Sequence, residues 1–167
     1  DMDKAVERIY TAINKKEKAT IFGDYDVDGA TSSALLKSFF HVLGLEAEIY
    51  IPHRIEEGYG PSIVAFEKII NSGTSLIITV DCGIISFEPI EYARSRSVDV
   101  IVIDHHLSSA SIPNAIAAIN PNRLDDTFVY KNLAAVGVTF MVVVALNAAL
   151  KSRRYFEANN IPEPTLL

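Results

Sequence analysis

The chain has 167 residues, a formal net charge of −6 and 49% hydrophobic residues. This length favours one domain, and the composition excludes an intrinsically disordered chain and a protein coated in basic surface. The single cysteine excludes an internal disulfide, which fits a reducing compartment, and we expect a cytoplasmic protein. The chain opens on Asp1-Met2-Asp3 with no early apolar stretch, so we expect no signal peptide and a fragment of a longer protein.

Segments typical of strands and of helices alternate along the chain. Apolar spacing predicts helices over 3–16, 30–43, 62–71 and 87–96. Apolar runs of strand length predict strands over 19–23, 46–51, 75–80, 98–103 and 115–119. This alternation predicts an α/β fold, with a mostly parallel β-sheet and helices on both faces. We place one domain at 1–155 and a tail at 156–167.

Residues 133–150 form an almost wholly apolar run of about the length that spans a bilayer. Gly137, Thr139 and Asn147 interrupt the run, and nothing else in the chain is typical of a membrane protein. We therefore predict a buried core helix and no membrane contact.

Acidic residues collect directly after the first predicted strand. Asp24, Asp26 and Asp28 alternate along the chain and are followed by Gly29. In extended backbone these carboxylates would share one face, where they would be costly without cations. Helix capping explains one such acid but not three. A calcium loop is excluded because its twelfth position would hold Leu35 instead of a glutamate, so the pattern favours another kind of metal site.

Two further strand ends carry side chains that bind metals. Asp81 follows the third predicted strand, and Asp104, His105 and His106 follow the fourth. Because ligands gather beyond the carboxyl ends of parallel strands, we expect these residues to join the first acidic cluster. Carboxylates and imidazoles together suit Mn²⁺ or Mg²⁺, and an acid such as Asp104 can orient an imidazole. The sequence therefore predicts a centre for more than one ion.

Three other residues are weaker candidates for a role in the site. A cysteine placed like Cys82 is usually a small buried hydrophobe, so we do not expect it to be a nucleophile. His41 lies within a predicted helix and is expected to be structural. His53 is expected to line the cleft.

Four motifs, in this order, resemble those of the DHH phosphoesterase superfamily. They lie at 23–29 (GDYDVDG), 80–84 (VDCGI), 104–106 (DHH) and 135–138 (AVGV). Two more stretches, at 51–60 (IPHRIEEGYG) and 119–121 (INP), resemble the single-stranded-DNA-specific exonucleases of that superfamily. The resemblance covers nearly the whole chain.

This resemblance implies a two-metal phosphodiesterase that uses Mn²⁺ or Mg²⁺. Its substrate would be single-stranded DNA, held through its phosphates and shortened by mononucleotides from the 5′ end, in DNA repair and recombination. The implied metal ligands are Asp26, Asp28, Asp81 and His105, with Asp81 bridging two ions. The implied catalytic residues are His106, Asp104 and Asp24. The implied substrate contacts are Arg54, His53, Tyr59, Gly137 and Asn120.

The resemblance also implies parts that this sequence does not contain. Family members carry a further metal-binding Asp and a second, DHH-associated domain after the long helix, so we expect this chain to be weakly active or inactive alone. Other activities of the superfamily stay open, namely an oligoribonuclease, a cyclic-dinucleotide phosphodiesterase or an inorganic pyrophosphatase, as does a non-catalytic binding module. A Rossmann-type nucleotide binder is disfavoured because no G-x-G-x-x-G turn follows the first strand.

Overall fold

The computed structural model describes residues 1–165 and contains alternating helices and strands. The helices are α1 (Met2–Lys15), α2 (Val27–Val42), α3 (Ile63–Asn71), α4 (Phe87–Ser95), α5 (Ala135–Ser152) and α6 (Tyr155–Asn159). The strands are β1 (Ala19–Gly23), β2 (Ala47–Tyr50), β3 (Leu76–Val80), β4 (Asp99–Ile103) and β5 (Ala117–Ile119). The predicted α/β class is confirmed.

All five strands form one parallel sheet in the order β2-β1-β3-β4-β5. The central strands β1 and β3 are buried along their whole length, as expected of a parallel sheet covered on both faces. Because every strand runs in the same direction, all of their carboxyl ends lie at one edge of the sheet.

Helices cover both faces of the sheet, as predicted, and each face has its own hydrophobic core. Side chains from α1, α2, α5 and α6 form the first core, and side chains from α3 and α4 form the second. Neighbouring strand residues divide between the two cores because successive side chains point to opposite faces. Ile21 and Ile78 belong to the first core, whereas Phe22 and Ile77 belong to the second.

Helix α5 is the one helix among residues 1–165 that is long and apolar enough to cross a membrane by length and composition. In the fold it packs against α1 and α2, and Val142, Val143 and Leu146 are fully buried in the first core. The helix is thus a core element, as the sequence predicted, although only 39% of it is buried and Met141 is exposed.

The packed structure continues beyond residue 155, where the sequence suggested a tail. Tyr155 and Phe156 begin α6 and are both buried against the first core. The Tyr155 hydroxyl also donates a hydrogen bond to the carbonyl oxygen of Leu43, at 3.3 Å. These two aromatic side chains hold the start of that segment on the domain, and the domain boundary itself stays a prediction.

Candidate metal centre

Side chains from three strand ends meet at the carboxyl edge of the sheet. Two groups have ligand atoms that all lie within 4.8 Å of one another. One group is Asp24, Asp26 and Asp81, and the other is Asp81, His105 and His106. Asp81 belongs to both groups, so it stands where two ions would share a ligand.

The first acidic loop is not extended as we expected, because α2 begins at Val27 rather than at residue 30. Asp26 is the N-cap of this helix, and its Oδ1 accepts hydrogen bonds from the backbone N–H groups of Asp28 (2.8 Å) and Gly29 (3.0 Å). These bonds, above all the one from Gly29, hold the pKa of Asp26 below its usual value. The three acids therefore occupy a strand-to-helix turn and do not share one strand face.

Two glycines allow this turn to close. A Cβ atom at Gly29 would overlap the backbone of Asp24, and one at Gly23 would overlap the Ser33 hydroxyl. The missing side chain at Gly29 thus lets the start of α2 lie against the backbone at the end of β1, and Gly23 leaves room for the Ser33 hydroxyl. This close approach places Asp24 and Asp26 next to the end of β3.

Asp81 is the acid of the cluster whose side chain the protein satisfies least. It is 2% exposed, has a left-handed backbone with φ of 61°, and its Oδ1 atom is buried without a hydrogen-bond partner. Burial, followed by the charges of Asp28 and Asp26, raises the pKa of Asp81 to about 7. A cation at this atom would compensate the carboxylate, which the protein itself leaves uncompensated.

His105 faces Asp81 in a way that fits a bound cation. Its Nδ1 atom is 3.0 Å from the carbonyl oxygen of Leu133, and because a carbonyl can only accept, Nδ1 carries the proton. In the neutral ring, Nε2 then presents a lone pair to Asp81 Oδ1 at 3.2 Å and to Asp28 Oδ2 at 3.7 Å. Three acceptors this close need a proton or a metal ion between them, and these donor types suit Mn²⁺ or Mg²⁺.

Asp104 accepts hydrogen bonds from both histidines and fixes their position. It is 1% exposed, and its Oδ1 accepts from His106 Nδ1 (2.7 Å) and from the backbone N–H groups of His105 (2.7 Å) and His106 (3.1 Å). Its Oδ2 accepts from the N–H of Ile84. Burial alone would lower the pKa of His106, but the hydrogen bond to Asp104 and the nearby carboxylates raise it overall. This arrangement leaves His106 Nε2 for the site.

Asp24 is 4% exposed and accepts a hydrogen bond from the backbone N–H of Tyr25 at 2.7 Å. Burial is the main cause that raises its pKa above the usual value. A second buried acid therefore lies beside Asp81 in the first ligand group.

Asp28 joins the metal centre to helix α5. Its Oδ2 accepts from the N–H of Ala135 (2.7 Å) and its Oδ1 from the N–H of Val136 (2.8 Å). Asp28 therefore caps α5 from another helix, and it belongs to neither of the two groups described above. Each of its oxygens retains a second lone pair, so its predicted role as a metal ligand stays a prediction.

The predicted phosphate contact at Gly137 finds no free backbone donor. The N–H groups of Gly137 and Val138 both donate to the carbonyl oxygen of Ala134, and the two preceding N–H groups bind Asp28. The first amides of α5 are thus occupied within the protein. This differs from the expected substrate contact, because the helix start binds a carboxylate of the chain itself.

Asn120 also differs from its predicted role as a substrate contact. It is 1% exposed, its Nδ2 donates to the carbonyl oxygen of His106, and its Oδ1 accepts from the N–H of Asn122. Both ends of its side-chain amide are used beneath the histidines. Asn122 was not singled out from the sequence, although its spacing from Asn120 is a signal that could have found it.

Of the remaining predicted substrate contacts, Arg54 and Tyr59 lie beside the centre. The Arg54 guanidinium lies 5.1 Å from the ring centre of Tyr25, which is 6.3 Å from that of Tyr59. The Tyr59 ring is in turn 6.5 Å from that of His106. His53 is exposed, and its N–H donates to Glu57.

An open groove of about 750 Å³ runs away from the cluster between α3 and α4. Its walls are mainly apolar, and Tyr59, Asp104 and His106 stand at the end next to the metal centre. Cys82 lies at its base, where burial raises the pKa of the thiol well above its usual value. This agrees with the expectation that Cys82 is not a nucleophile.

The chain is similar in sequence to two exonucleases. Single-stranded-DNA-specific exonuclease RecJ of Escherichia coli (strain K12) is 42% identical over 166 residues, which cover 99% of this chain and 29% of that protein. RecJ of Bacillus subtilis (strain 168) is 41% identical over 145 residues, or 87% of this chain and 18% of that protein. The chain therefore spans less than a third of either relative.

Solved structures and the family model agree with this similarity. A crystal structure of exonuclease RecJ bound to manganese matches 98% of this chain and 39% of its own, with a TM-score of 0.81 and 29% identity. RecJ of Thermus thermophilus in complex with Mn²⁺ matches 98% of this chain and 22% of its own, with a TM-score of 0.73 and 26% identity. The model of the DHH family, N-terminal domain, matches residues 18–166. The chain therefore belongs to the DHH family.

Proposed function

We propose that this chain is the metal-binding part of a phosphodiesterase that digests single-stranded DNA from its 5′ end. The observation that carries the proposal is Asp81, a buried acid with an unpartnered oxygen that is shared by two groups of possible ligands. The similarity to RecJ exonucleases supports DNA as the substrate, and the relatives bound to manganese support the metal.

The residues present fit Mn²⁺ or Mg²⁺. Asp24, Asp26, Asp81 and His105 would hold the ions, and Asp28 stands close enough to His105 to join them. When bound, such ions supply an activated water and neutralise the charge that develops on the phosphate. The chain contributes the fixed carboxylates, and the hydrogen bond from His105 to Leu133 sets which imidazole nitrogen faces the ions.

His106 and Arg54 would act on the phosphate itself. Asp104 fixes the His106 ring through Nδ1 and raises its pKa, so a protonated Nε2 can donate to a phosphate oxygen as negative charge develops there. Arg54 lies against Tyr25 at the same edge, and its guanidinium suits a terminal phosphate. The exposed ring of Tyr59 can stack on a nucleobase next to it.

The further parts of this proposal concern the whole enzyme. Because the chain matches less than a third of the RecJ relatives, we infer that a second domain supplies the other wall of the DNA groove and that this chain alone is weakly active. We also propose a role in DNA repair and recombination and a location in the cytoplasm, and the same similarity supports both.

Digestion of 5′-labelled single-stranded DNA with Mn²⁺ tests the activity, for this chain and for any longer chain that carries it. We expect labelled mononucleotides from the longer chain, little product from this chain, and none from either after Asp81→Asn. Asp3→Asn changes an exposed acid of α1 and is the matched control. Preferred cleavage of short RNA or of a cyclic dinucleotide would replace DNA with the other activities of the superfamily.

Calorimetric titration of this chain with Mn²⁺ separates an enzyme from a non-catalytic binding module. We expect binding that Asp81→Asn abolishes and Asp3→Asn preserves. Absence of binding, or binding that Asp81→Asn leaves unchanged, would contradict the proposed centre.

A further inference from the structure

Two asparagines reach from the end of β5 to the two histidines of the metal centre. The Nδ2 of Asn120 donates to the carbonyl oxygen of His106 at 2.9 Å, and the Nδ2 of Asn122 donates to that of His105. We propose that Asn120 and Asn122 form a clamp that fixes the backbone of the histidine pair. They are positioning residues, and they act on the metal through His105 and His106.

The clamp binds the chain directly after the last residue of the sheet. The β4–β5 ladder ends where Ile103 pairs with Ile119, and the last backbone bond runs from the N–H of Asp104 to the carbonyl oxygen of Ile119. The two histidines follow this last bond. The side-chain amides of the asparagines then bind their carbonyl oxygens in place of a neighbouring strand.

Turn formation alone does not explain this arrangement. An asparagine followed by proline at the end of a strand commonly forms a turn, and Asn120 Oδ1 does accept from the N–H of Asn122 at 2.7 Å. That bond uses one oxygen of one residue. The two Nδ2 groups instead reach carbonyl oxygens that lie 14 and 17 residues earlier in the chain, and these belong to consecutive residues.

The histidine backbone is consequently held from both sides. Asp104 Oδ1 binds the N–H groups of His105 and His106, while the asparagines bind their carbonyl oxygens. Because a side chain moves with its backbone, this double attachment sets the distance between His105 Nε2 and Asp81 Oδ1, which is 3.2 Å. Residues that orient metal ligands without touching the metal commonly change metal affinity roughly 10- to 100-fold when they are replaced.

The clamp is tested by measuring the Mn²⁺ affinity of the folded chain by calorimetry. This test rests on the proposed function, because it requires that the chain bind Mn²⁺. Asn122 is the better target because it is half-buried, whereas Asn120 is buried. We expect Asn122→Ala and the isosteric Asn122→Asp to weaken Mn²⁺ binding roughly 10- to 100-fold. The Asp variant keeps the shape but loses the donor, so it also serves if the Ala variant does not fold.

The matched control is Lys131→Met. Lys131 Nζ ties down the same loop through the carbonyl oxygens of Pro121 and Asp126 but touches neither histidine. The Lys131→Met substitution should lower the thermal midpoint of the metal-free chain and leave its Mn²⁺ affinity unchanged within error. Equal loss of affinity in Lys131→Met and Asn122→Asp would reduce the asparagines to general loop stabilisers and overturn the clamp.

A metal-free measurement keeps the clamp distinct from the proposed function. The imidazole NMR signals of His105 and His106 should shift or broaden in Asn122→Asp and stay in place in Lys131→Met. If the wild-type chain bound no Mn²⁺, the proposed function would fail while this measurement still judged the clamp. Unchanged imidazole signals in Asn122→Asp would overturn it.

Discussion

The two ends of the sheet treat acidic side chains in opposite ways. At the amino end, the Arg8 guanidinium binds Asp99 Oδ2 at 2.5 Å and Glu17 Oε2 at 2.6 Å, and it is 11% exposed. At the carboxyl end five aspartates gather, and within residues 1–165 no lysine or arginine forms an ion pair with any of them. They are Asp24, Asp26, Asp28, Asp81 and Asp104.

The contrast separates what the architecture requires from what the site requires. At its amino end the sheet neutralises two partly buried acids with a single arginine, so acids without a cation are not a necessity of the architecture. Backbone N–H groups satisfy Asp26, Asp28 and Asp104. Asp81 Oδ1 receives no such bond, which makes it the focus of the proposed metal centre.

Arg8→Met attacks the neutralised end and should have the largest effect on stability. It leaves two partly buried carboxylates without their shared cation, so we expect the free energy of unfolding to fall by roughly 2–3 kcal/mol in urea denaturation. Mn²⁺ affinity should not change, because the arginine lies at the opposite edge. Arg94→Met, which removes an exposed pair with Glu91, is the control and should cost under about 1 kcal/mol. Equal costs for the two variants would show that Arg8 does not neutralise the acids at the amino end.

Gly29→Ala attacks the turn that brings the acids together. The new Cβ would overlap the backbone of Asp24, so we expect a loss of roughly 1–3 kcal/mol in urea denaturation, and weaker Mn²⁺ binding. Gly137→Ala is a matched control in the first turn of another helix. Its Cβ would meet a movable methyl group of Leu133 at 3.2 Å, and alanine favours helix by up to about 1 kcal/mol. A neutral Gly29→Ala would contradict the tight turn.

Asp81→Asn should stabilise the metal-free chain at pH 8 but not at pH 4. The pKa of Asp81 is about 7 in the folded chain against 3.8 normally, so the unfolded chain loses this proton first. The resulting penalty to the folded state appears above pH 4 and grows until about pH 7. Asparagine removes it, and we expect a gain of roughly 1–2 kcal/mol at pH 8, measured in urea with a chelator.

Excess Mn²⁺ should reverse this order, because only the wild-type chain gains stability from binding the ion. A variant that is less stable than the wild type at pH 8 without metal would show that Asp81 is satisfied by the protein alone. The same denaturation series, repeated with and without Mn²⁺, provides both results.

Glu57→Gln should give the smallest effect, because Glu57 is an acid near the carboxyl edge that the protein does pair. Hydrogen bonds from Lys68, Tyr50 and the N–H of His53 lower its pKa from 4.5 to about 2. Its stabilising effect is therefore complete above about pH 4.5 and is lost as the pH falls through about 2. We expect a thermal midpoint about 2–4 °C lower at pH 7.

The difference in thermal midpoint between Glu57→Gln and the wild type should shrink as the pH approaches 2. Scanning calorimetry over a series of pH values measures this difference. A difference that stays constant with pH would mean that packing, and not the charge of Glu57, stabilises the loop. Opposite pH trends for Glu57 and Asp81 would sharpen the contrast between a paired and an unpaired acid.

Sequence patterns predicted the parallel sheet and the strand ends that carry the acids and histidines, because long apolar runs and strand-terminal charges are local features. Hydrogen bonds between a side chain and a main-chain group far away in the sequence leave no such trace. The capping of α5 by Asp28 and the burial of Asn120 therefore emerged only from the structure. The earlier start of α2 followed from Asp26 acting as N-cap, a role that alternation of acids conceals.

The bond between Asp28 and the start of α5 has an electrostatic consequence. The aligned peptide dipoles of an 18-residue helix place about half a positive charge at its amino end, and here that end points at Asp28. The amino end of α5 thus places a fixed partial positive charge next to the centre. This charge offsets part of the negative charge that bound ions would otherwise have to balance. Changes that fray the start of α5 should therefore alter metal affinity although they touch no ligand.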